Sequence, residues 1–236
     1  MEPADQQKRT ASFDVQQFVD RRQMGAAQWL ILALCFLVLL MDGFHTAVMA
    51  FVAPVLSREL SISKASLGSV LAASLIGLAF GALVAGPLAD RWGRKRVILG
   101  SVAVCCIGSL ISASATSLST MTAYRFITGL GIGAAMPNCT TLASEFVPAK
   151  RRALLLNLMF CGFPLGASTA GFVTAWLLPE HGWRFIFILG GGFLLVLGAL
   201  LTLLPESISF MVVRGYPMER IKATRDVVCK NLRLRC

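Results

Sequence analysis

Six long apolar segments, separated by short polar stretches, make up most of this chain. Each segment has about 20 or more predominantly hydrophobic residues, the length that an α-helix needs to cross a lipid bilayer. The pattern therefore predicts an all-α membrane protein. The six predicted transmembrane helices are residues 27–52, 67–88, 97–117, 121–146, 153–178 and 183–204. They divide the chain into a polar N-terminal tail (1–24), a six-helix bundle (25–205) and a basic tail (206–236).

Small residues and one proline inside these segments indicate how the helices pack. Gly77 and Gly81 stand four positions apart in the second segment, a spacing that lets a neighbouring membrane helix approach closely. Pro164, flanked by glycines in the fifth segment, predicts a kink, because neighbouring helices tolerate a proline that removes one backbone hydrogen bond.

The composition agrees with a membrane protein and changes the meaning of the net charge. Of the 236 residues, 56% are hydrophobic and 14% are charged, and the mean hydropathy is +0.72. A soluble domain rarely has these values. The net charge of +10 would suggest nucleic-acid binding in a soluble protein, but here the cations lie in loops and tails. We therefore expect a lipid bilayer, and no nucleic acid, as the partner of this surface.

The cations are distributed unevenly between the two ends of the predicted helices. One end has those of the N-terminal tail (Lys8, Arg9, Arg21, Arg22), the second loop (Arg91, Arg94, Lys95, Arg96), the fourth loop (Lys150, Arg151, Arg152) and the C-terminal tail. The other end has only Arg58, Lys64 and Arg184. Cytoplasmic loops carry the excess of Lys and Arg. The distribution predicts a multi-pass protein of the inner (plasma) membrane with both termini in the cytoplasm.

The seven cysteines indicate no metal or redox chemistry. Five lie within apolar segments and are interpreted as small membrane residues: Cys35, Cys105, Cys106, Cys139 and Cys161. Cys229 and Cys236 lie in the basic tail, where a cytoplasmic location would keep them reduced. The chain also shows no nucleophile elbow, phosphate-binding loop or metal-ligand spacing, so neither an enzyme nor a metal site is predicted.

Two ionisable residues interrupt the first apolar segment. Asp42 lies 13 residues after Trp29, about 20 Å into a bilayer core about 30 Å thick. His45 follows three residues later and shares a helix face with it. Ionisable groups at that depth usually face a water-filled cavity. The alternative is that the helix ends near Leu40 and that both residues lie in an outer loop.

Arg125 is the ionisable residue inside the fourth segment. Its depth, about 5 Å inside the outer surface, is close to that of Asp42, so the two can interact directly or across a bound substrate if the helices adjoin. Alternatively, Arg125 reaches the outer interface. Glu145, 20 residues later, either meets the cations of the second loop or is an exposed helix-end carboxylate. Asn138, after Pro137, is a further polar candidate.

The most densely charged stretch is the second loop, residues 86–96. Gly86 and Pro87 are expected to end a helix, and Gly93 to adopt a turn conformation. Its run Gly-Pro-Leu-Ala-Asp-Arg-Trp-Gly-Arg-Lys resembles the signature loop of the major facilitator superfamily, and the Arg-x-x-x-Gly-x-Gly-x-Gly run from Arg125 resembles that superfamily's fourth-helix motif. A generic basic loop explains the cations but not the glycine and aspartate spacing. The resemblance implies a gating loop with Gly86, Asp90, Arg91, Gly93, Arg94 and Lys95 as its motif residues and Glu145 at the inner end of helix 4.

A narrower resemblance is carried by shorter motifs. Asp-Gly-Phe-His-Thr-Ala at 42–47, followed by Phe-Val-Ala-Pro at 51–54, resembles the first-helix signature of aromatic acid:H⁺ symporters. Segments 133–138, 159–163 and 205–207 fit the same group, which includes 4-hydroxybenzoate and benzoate transporters. The resemblance implies import of a small aromatic carboxylate by alternating access, with H⁺ as coupling ion and no cofactor. It makes Asp42, His45, Arg125 and Asn138 candidates for the substrate and proton pathway.

The chain departs from this family pattern in two ways. The symporters usually carry a second aspartate at the position of His45, whose imidazole, with an unperturbed pKa of about 6.5, exchanges protons over a different pH range; the hypothesis is that His45 titrates during transport. Superfamily members also have two six-helix halves, and this chain matches only the first. It is predicted not to transport as a monomer, and a second half is the expected partner.

Several interpretations of the half-length chain stay open. It is a fragment, a frameshifted product or a half-transporter. The alternatives for function are another carrier of the same superfamily (an efflux pump, or a sugar or dicarboxylate carrier) and a truncated membrane protein without transport activity.

Overall fold

The computed structural model describes residues 24–59, 63–219, 221 and 223–224, and every secondary-structure element in these ranges is helical. The predicted N-terminal tail and most of the basic tail therefore lie outside the described residues. The helices are α1 (Ala26–Glu59), α2 (Lys64–Trp92), α3 (Arg94–Ser112), α4 (Leu118–Phe146), α5 (Arg152–Phe160), α6 (Gly162–Leu201) and α7 (Ile208–Val213), with a short 3-10 turn at Ala149–Arg151. The all-α expectation is confirmed.

Four of the described stretches are long and apolar enough to cross a membrane: Ala26–Glu59, Ser66–Trp92, Arg94–Ser112 and Ala149–Leu201. The last has 53 residues and contains a break at Gly182, whose φ of 73° and ψ of 171° lie outside the helical region. This residue divides α6 into two arms, 162–181 and 183–201. The gap between the fifth and sixth predicted segments, residues 179–182, is thus reduced to a break at a single glycine, and Pro179 remains inside the helix.

The junction between α2 and α3 differs from the prediction. Gly86 and Pro87 do not end a helix, because α2 continues to Trp92. Both residues lie on an exposed side of α2, where a carbonyl freed by proline is not pressed against a packed neighbour. Gly93 forms the turn alone, with φ 97° and ψ 152°, a region open essentially only to glycine. The turn predicted at Gly93 is confirmed, and the one predicted at Gly86 is wrong.

The fifth predicted helix is broken, as its proline suggested. α5 ends at Phe160, and α6 begins at Gly162, two residues before Pro164. Proline has no N–H to give to the carbonyl four residues earlier, which here belongs to Phe160. The interruption therefore lies where the sequence predicted a kink.

Glycines bring two pairs of helices into backbone contact. A Cβ added to Gly77 or Gly81 of α2 would overlap the carbonyl oxygens of Phe126 or Leu130 on α4. From the other side, a Cβ on Gly133 would overlap the carbonyl of Leu78. The close approach predicted from the Gly77–Gly81 spacing is confirmed.

The same arrangement joins α1 to α6. A Cβ on Gly43 of α1 would overlap the carbonyl of Phe163, and one on Gly166 of α6 would overlap the carbonyl of Leu40. Backbone packing of this kind, without bulky side chains between the helices, is typical of membrane proteins. It fixes α1 against α6 at the level of Asp42.

Side-chain hydrogen bonds define two ends of the bundle. At one end, Gln28 Nε2 donates to the carbonyl of Phe146 at 2.6 Å, which joins the start of α1 to the end of α4. At the other end, Trp183 Nε1 donates to Glu59 Oε2 at 2.6 Å, which joins the end of α1 to the second arm of α6. Below, the first is called the basic end, because it also carries the α2–α3 junction, and the second is called the Glu59 end.

Candidate functional site

The middle of α1 carries the acidic residue that the sequence singled out. Asp42 and His45 lie well inside α1, and their side chains are 4% and 1% exposed. The alternative that they belong to an outer loop is therefore wrong. The helix continues past them because the apolar sequence resumes immediately and packs against α6 through Gly43.

Asp42 lies on the wall of an open cavity of about 430 Å³. The other lining residues are mainly apolar or aromatic and come from four further helices: Leu78, Ala82, Ile132, Gly133, Met136, Pro137, Thr140, Thr141, Phe160 and Phe163. Asp42 Oδ2 is buried and has no hydrogen-bond partner. A carboxyl group in such surroundings is costly unless it serves a ligand or a proton. The cavity is thus an apolar pocket with one acidic group.

His45 is held by a different set of contacts. Its Nδ1 lies 2.9 Å from the carbonyl of Met41, one turn earlier in α1. Its Nε2 lies 3.1 Å from Ser109 Oγ on α3. The residues that line the cavity include Asp42 but not His45. The two ionisable residues of α1 therefore sit in separate environments.

Arg125 lies inside the bundle rather than at its surface, with 1% of its side chain exposed. Nη1 donates to the backbone carbonyl of His45 at 3.4 Å, and the guanidinium lies 4.3 Å from the centre of the Phe187 ring on α6. Nε and Nη2 have no hydrogen-bond partner. The alternative that Arg125 reaches the outer interface is wrong, because the rings and backbone of α1 and α6 enclose it.

The direct ion pair considered between Asp42 and Arg125 is absent from the described part of the chain. Helices α1 and α4 do adjoin, but the guanidinium of Arg125 lies over Phe187 on α6, whereas Asp42 is one of the residues that line the cavity. Asn138 is also not brought to the cavity wall. It is buried, and its Nδ2 donates to the carbonyl of Ala134 in its own helix at 2.8 Å.

Most of the chain matches a known protein family. Residues 32–213 match the family described as the Major Facilitator Superfamily. The chain belongs to the Major Facilitator Superfamily. The superfamily expectation drawn from the sequence is therefore confirmed.

Relatives within the superfamily carry the names of aromatic-acid transporters, as the narrower resemblance implied. The 4-hydroxybenzoate transporter PcaK of Pseudomonas putida is 48% identical over 94% of this chain and 50% of its own length. The gallate transporter of the same species is 47% identical, over 90% of this chain and 48% of its own length. The benzoate transport protein of Acinetobacter baylyi is 31% identical over 84% and 44%. The chain spans about half the length of these relatives.

Among solved structures, the proton:xylose symporter XylE bound to 6-bromo-6-deoxy-D-glucose matches with a TM-score of 0.76 and 21% identity. The match covers 88% of this chain and 50% of that one. At this level of identity the likeness concerns the fold alone.

The superfamily's signature loop forms a polar cluster at the basic end. Arg94 Nε lies 3.7 Å from Glu145 Oε1, so Glu145 meets the cations of the loop. The alternative of an isolated, exposed carboxylate is wrong. Glu145 also accepts from Ser207 Oγ at 2.7 and 2.9 Å. The cluster joins the α2–α3 junction, the end of α4 and the start of α7.

A second carboxylate, Glu206, completes the cluster. Its Oε1 accepts from the backbone N–H of Lys95 at 3.1 Å, and a Cβ on Gly93 would crowd the same carboxylate. Lys95 Nζ donates to the carbonyl of Thr202 at 2.7 Å. Arg214 Nη2 donates to the carbonyl of Arg91 at 2.7 Å. Gly93 is therefore needed both for its backbone angles and for the space that Glu206 occupies.

Three residues that hold these networks are not identifiable as site residues from the sequence: Glu206, Ser207 and Ser109. Glu206 and Ser207 belong to a family-like motif at 205–207, and their position just after an apolar segment is the available signal. Ser109 carried no signal, because a serine in an apolar helix usually bonds a carbonyl of its own helix. The structure shows that it bonds across helices instead.

Proposed function

We propose that this chain forms the N-terminal six-helix half of a proton-coupled importer of small aromatic carboxylic acids. Its six membrane crossings would be α1, α2, α3, α4, α5 with the first arm of α6, and the second arm of α6. Two of its relatives, at 48% and 47% identity, are named as transporters of 4-hydroxybenzoate and gallate, both aromatic carboxylates. The function is transport and not enzymatic catalysis.

The observation that carries this proposal is the cavity at Asp42. Its apolar walls include the rings of Phe160 and Phe163, which suit the flat face of an aromatic substrate. Its volume of about 430 Å³ is in the range of small-molecule pockets, about 300–1,000 Å³. The cavity is open, and in the superfamily the second half covers the substrate site near the membrane midplane.

Asp42 suits the role of proton carrier in this cavity. An ionised carboxylate would repel the carboxylate of an aromatic acid, since like charges disfavour each other in a medium of low dielectric. A protonated Asp42 removes that repulsion and can donate a hydrogen bond. Substrate entry and proton uptake on Asp42 therefore favour each other. This mutual preference is the physical basis that we propose for symport.

The negative charge of the substrate carboxylate must also be balanced by a cation. Arg125 does not line the cavity, so in this conformation it raises the local positive potential from inside the bundle without touching the ligand. We propose that cations of the second half meet the carboxylate directly and that Arg125 supports the proton pathway together with His45. Asn138 holds the bend-prone part of α4 after Pro137.

The basic end is the proposed cytoplasmic gate, with both termini of the chain on that side. Of the described cations, this end carries those of the α2–α3 junction and of residues 150–152, whereas the Glu59 end has Arg58, Lys64 and Arg184. Cytoplasmic positions are rich in Lys and Arg. Asp90 and Arg91 at the end of α2 are exposed and available to a second half in one state and to water in the other.

The test is a split transporter in bacterial cells that lack aromatic-acid uptake. This chain is co-expressed with the C-terminal half of the Pseudomonas putida 4-hydroxybenzoate transporter, and accumulation of radiolabelled 4-hydroxybenzoate is followed. We expect accumulation only with both halves and its loss on adding a protonophore. Asp42→Asn should reduce it at least about tenfold, because a neutral amide cannot carry a proton. Ser114→Ala, an exposed change at the end of α3, is the matched control.

Accumulation that survives the protonophore, or that Asp42→Asn leaves intact, would refute the proton-coupled mechanism. Uptake of a sugar or a dicarboxylate in place of the aromatic acid would favour the other carriers of the superfamily. If this chain reaches the membrane with its partner half but no substrate accumulates, it is a membrane protein without transport activity.

A further inference from the structure

A chain of hydrogen bonds crosses three helices beside the candidate site. His45 Nε2 on α1 lies 3.1 Å from Ser109 Oγ on α3. The same Ser109 Oγ lies 2.9 Å from the backbone carbonyl of Phe187 on α6. His45 Nδ1 faces the carbonyl of Met41 at 2.9 Å. Both side chains in this chain of bonds are buried, with His45 1% and Ser109 0% exposed.

The number of protons that these atoms can share is limited. A carbonyl oxygen only accepts, so Nδ1 must carry a proton to bond Met41. Ser109 has a single hydroxyl proton and two neighbours that can take it, Nε2 and the carbonyl of Phe187. If Ser109 donates to Phe187, then Nε2 must itself carry a proton to bond Ser109, and the ring is charged. If Ser109 donates to Nε2, the ring is neutral.

We propose that His45, Ser109 and the carbonyl of Phe187 form a two-position proton switch, in which Ser109 reorients as His45 gains or loses a proton. This inference deepens the proposed symport by naming the residue that positions the imidazole. In the neutral position the hydroxyl of Ser109 points at Nε2. In the charged position Nε2–H points at Ser109, and the hydroxyl points at Phe187. The coupling proton binds Nε2 and forms a new N–H bond there; Ser109 keeps its own hydroxyl proton, which turns from Nε2 to the carbonyl of Phe187.

The switch connects proton uptake to helix packing. In the charged position, bonds run without interruption from α1 through Ser109 on α3 to α6; in the neutral position, the hydrogen bond from Ser109 to the carbonyl of Phe187 is lost. Phe187 is also the ring beneath the guanidinium of Arg125, which donates to the carbonyl of His45. A proton on His45 therefore changes the hydrogen bonds at the point where α1, α3, α4 and α6 meet.

The ring has few other polar neighbours in the described part of the chain. On α6, Gly190 leaves space for it, since a Cβ there would lie 2.9 Å from Nε2. The charged and titratable groups on the helices around it are Asp42, three residues earlier on its own helix, Arg125 on α4, which donates to the carbonyl of His45, and the buried thiols of Cys105 and Cys106 on α3. The thiol of Cys106 donates to the carbonyl of Gly191 at 3.2 Å, so it does not compete for His45.

The experiment reads the proton positions directly in this chain. The sequence has two histidines. The other, His181, is about half exposed, so His181→Asn is a mild change that makes His45 the single histidine in the spectrum. The chain is labelled with ¹⁵N-histidine and reconstituted in lipid bilayers, and solid-state NMR distinguishes protonated from unprotonated ring nitrogens as the pH is varied. In the neutral ring we expect the proton on Nδ1.

Variants at position 109 then test the switch. A hydrogen bond to a charged ring is about twice as strong as one to a neutral ring, so Ser109→Ala should lower the ratio of charged to neutral rings about fivefold at a fixed pH. Ser109→Thr keeps the hydroxyl and should keep the ratio. The matched control is Ser112→Ala, one turn along α3, where a buried hydroxyl bonds its own helix at Gly108.

Two results would overturn the proposal. One is a neutral ring that carries its proton on Nε2 in the unchanged sequence, a measurement that needs no variant at position 109. The other is a charged-to-neutral ratio that Ser109→Ala shifts no more than Ser112→Ala does. Because these spectra are recorded on this chain alone, they are independent of the split-transporter assay. A negative uptake result would leave the switch standing, and a negative spectrum would leave uptake standing.

Discussion

The contact between α2 and α4 offers the sharpest test of the fold, because one helix contains both the critical glycine and its control. In Gly81→Ala the new methyl overlaps the carbonyl oxygen of Leu130 and crowds its carbonyl carbon and Cα. These are backbone atoms, which cannot rotate away, so the helices must separate. Overpacking of this kind costs about 3 kcal/mol at the upper end of its usual range. Alanine returns about 1 kcal/mol through its higher helix propensity.

The net expectation is a loss of about 2 kcal/mol for Gly81→Ala. In Gly68→Ala, on the same helix, the added methyl meets nothing within 4 Å, and a gain of up to about 1 kcal/mol is expected. Both variants are unfolded in mixed micelles by increasing SDS and followed by far-ultraviolet circular dichroism. The free energies of unfolding should differ by about 3 kcal/mol. If Gly81→Ala proves as stable as Gly68→Ala, the backbone contact between α2 and α4 does not exist as described.

Two further predictions concern the ends of the bundle. Glu145→Gln removes the negative charge at the centre of the basic-end cluster and should lower the free energy of local opening of α7 by about 1.4 kcal/mol. Amide hydrogen exchange in α7 should therefore become about tenfold faster. Glu180→Gln, a change at a largely exposed carboxylate, should leave that exchange unaltered, and equal effects would contradict the cluster's role. Trp183→Phe keeps an aromatic ring but loses the hydrogen bond from the indole N–H to Glu59. It should lower the free energy of unfolding by about 2 kcal/mol. Trp176→Phe, at a 76% exposed ring, should change it little; a loss of similar size there would contradict the proposed link.

Much of the fold was predictable because the bilayer imposes one strong constraint. A segment that crosses lipid must satisfy its backbone hydrogen bonds internally, so apolar length reports a helix. Helix ends were harder to predict. The sequence pattern ends α2 at Leu88, but the helix continues through the charged residues Asp90 and Arg91 to Trp92. Conversely, α3 stops at Ser112, because Ser117 begins α4 with a capping box to Thr120.

The candidate site was predictable in its residues and less so in its arrangement. The depth of Asp42 in an apolar segment pointed to a cavity, and it does line one. The same reasoning put Arg125 near it, since depth along a helix can be counted from the sequence. The direction of a side chain around its helix depends on which neighbours surround it, and those follow from tertiary packing. Arg125 consequently faces Phe187 and the carbonyl of His45 rather than Asp42.

The placement of Asp42 and His45 bears on how a proton could act at a distance. They are three residues apart on one helix, yet Asp42 meets the cavity and His45 meets α3. In the proposed symport, a proton on Asp42 changes which ligands the cavity accepts. In the proposed switch, a proton on His45 changes the bonds that join α1 to α3 and α6. If a proton passes from the first residue to the second, substrate binding and helix packing become coupled through a single turn of α1, and replacing either residue should uncouple them in a different way. Loss of Asp42 should abolish the effect of pH on substrate affinity. Loss of His45 should leave that effect in place and remove the effect of pH on the rate at which the loaded carrier changes conformation.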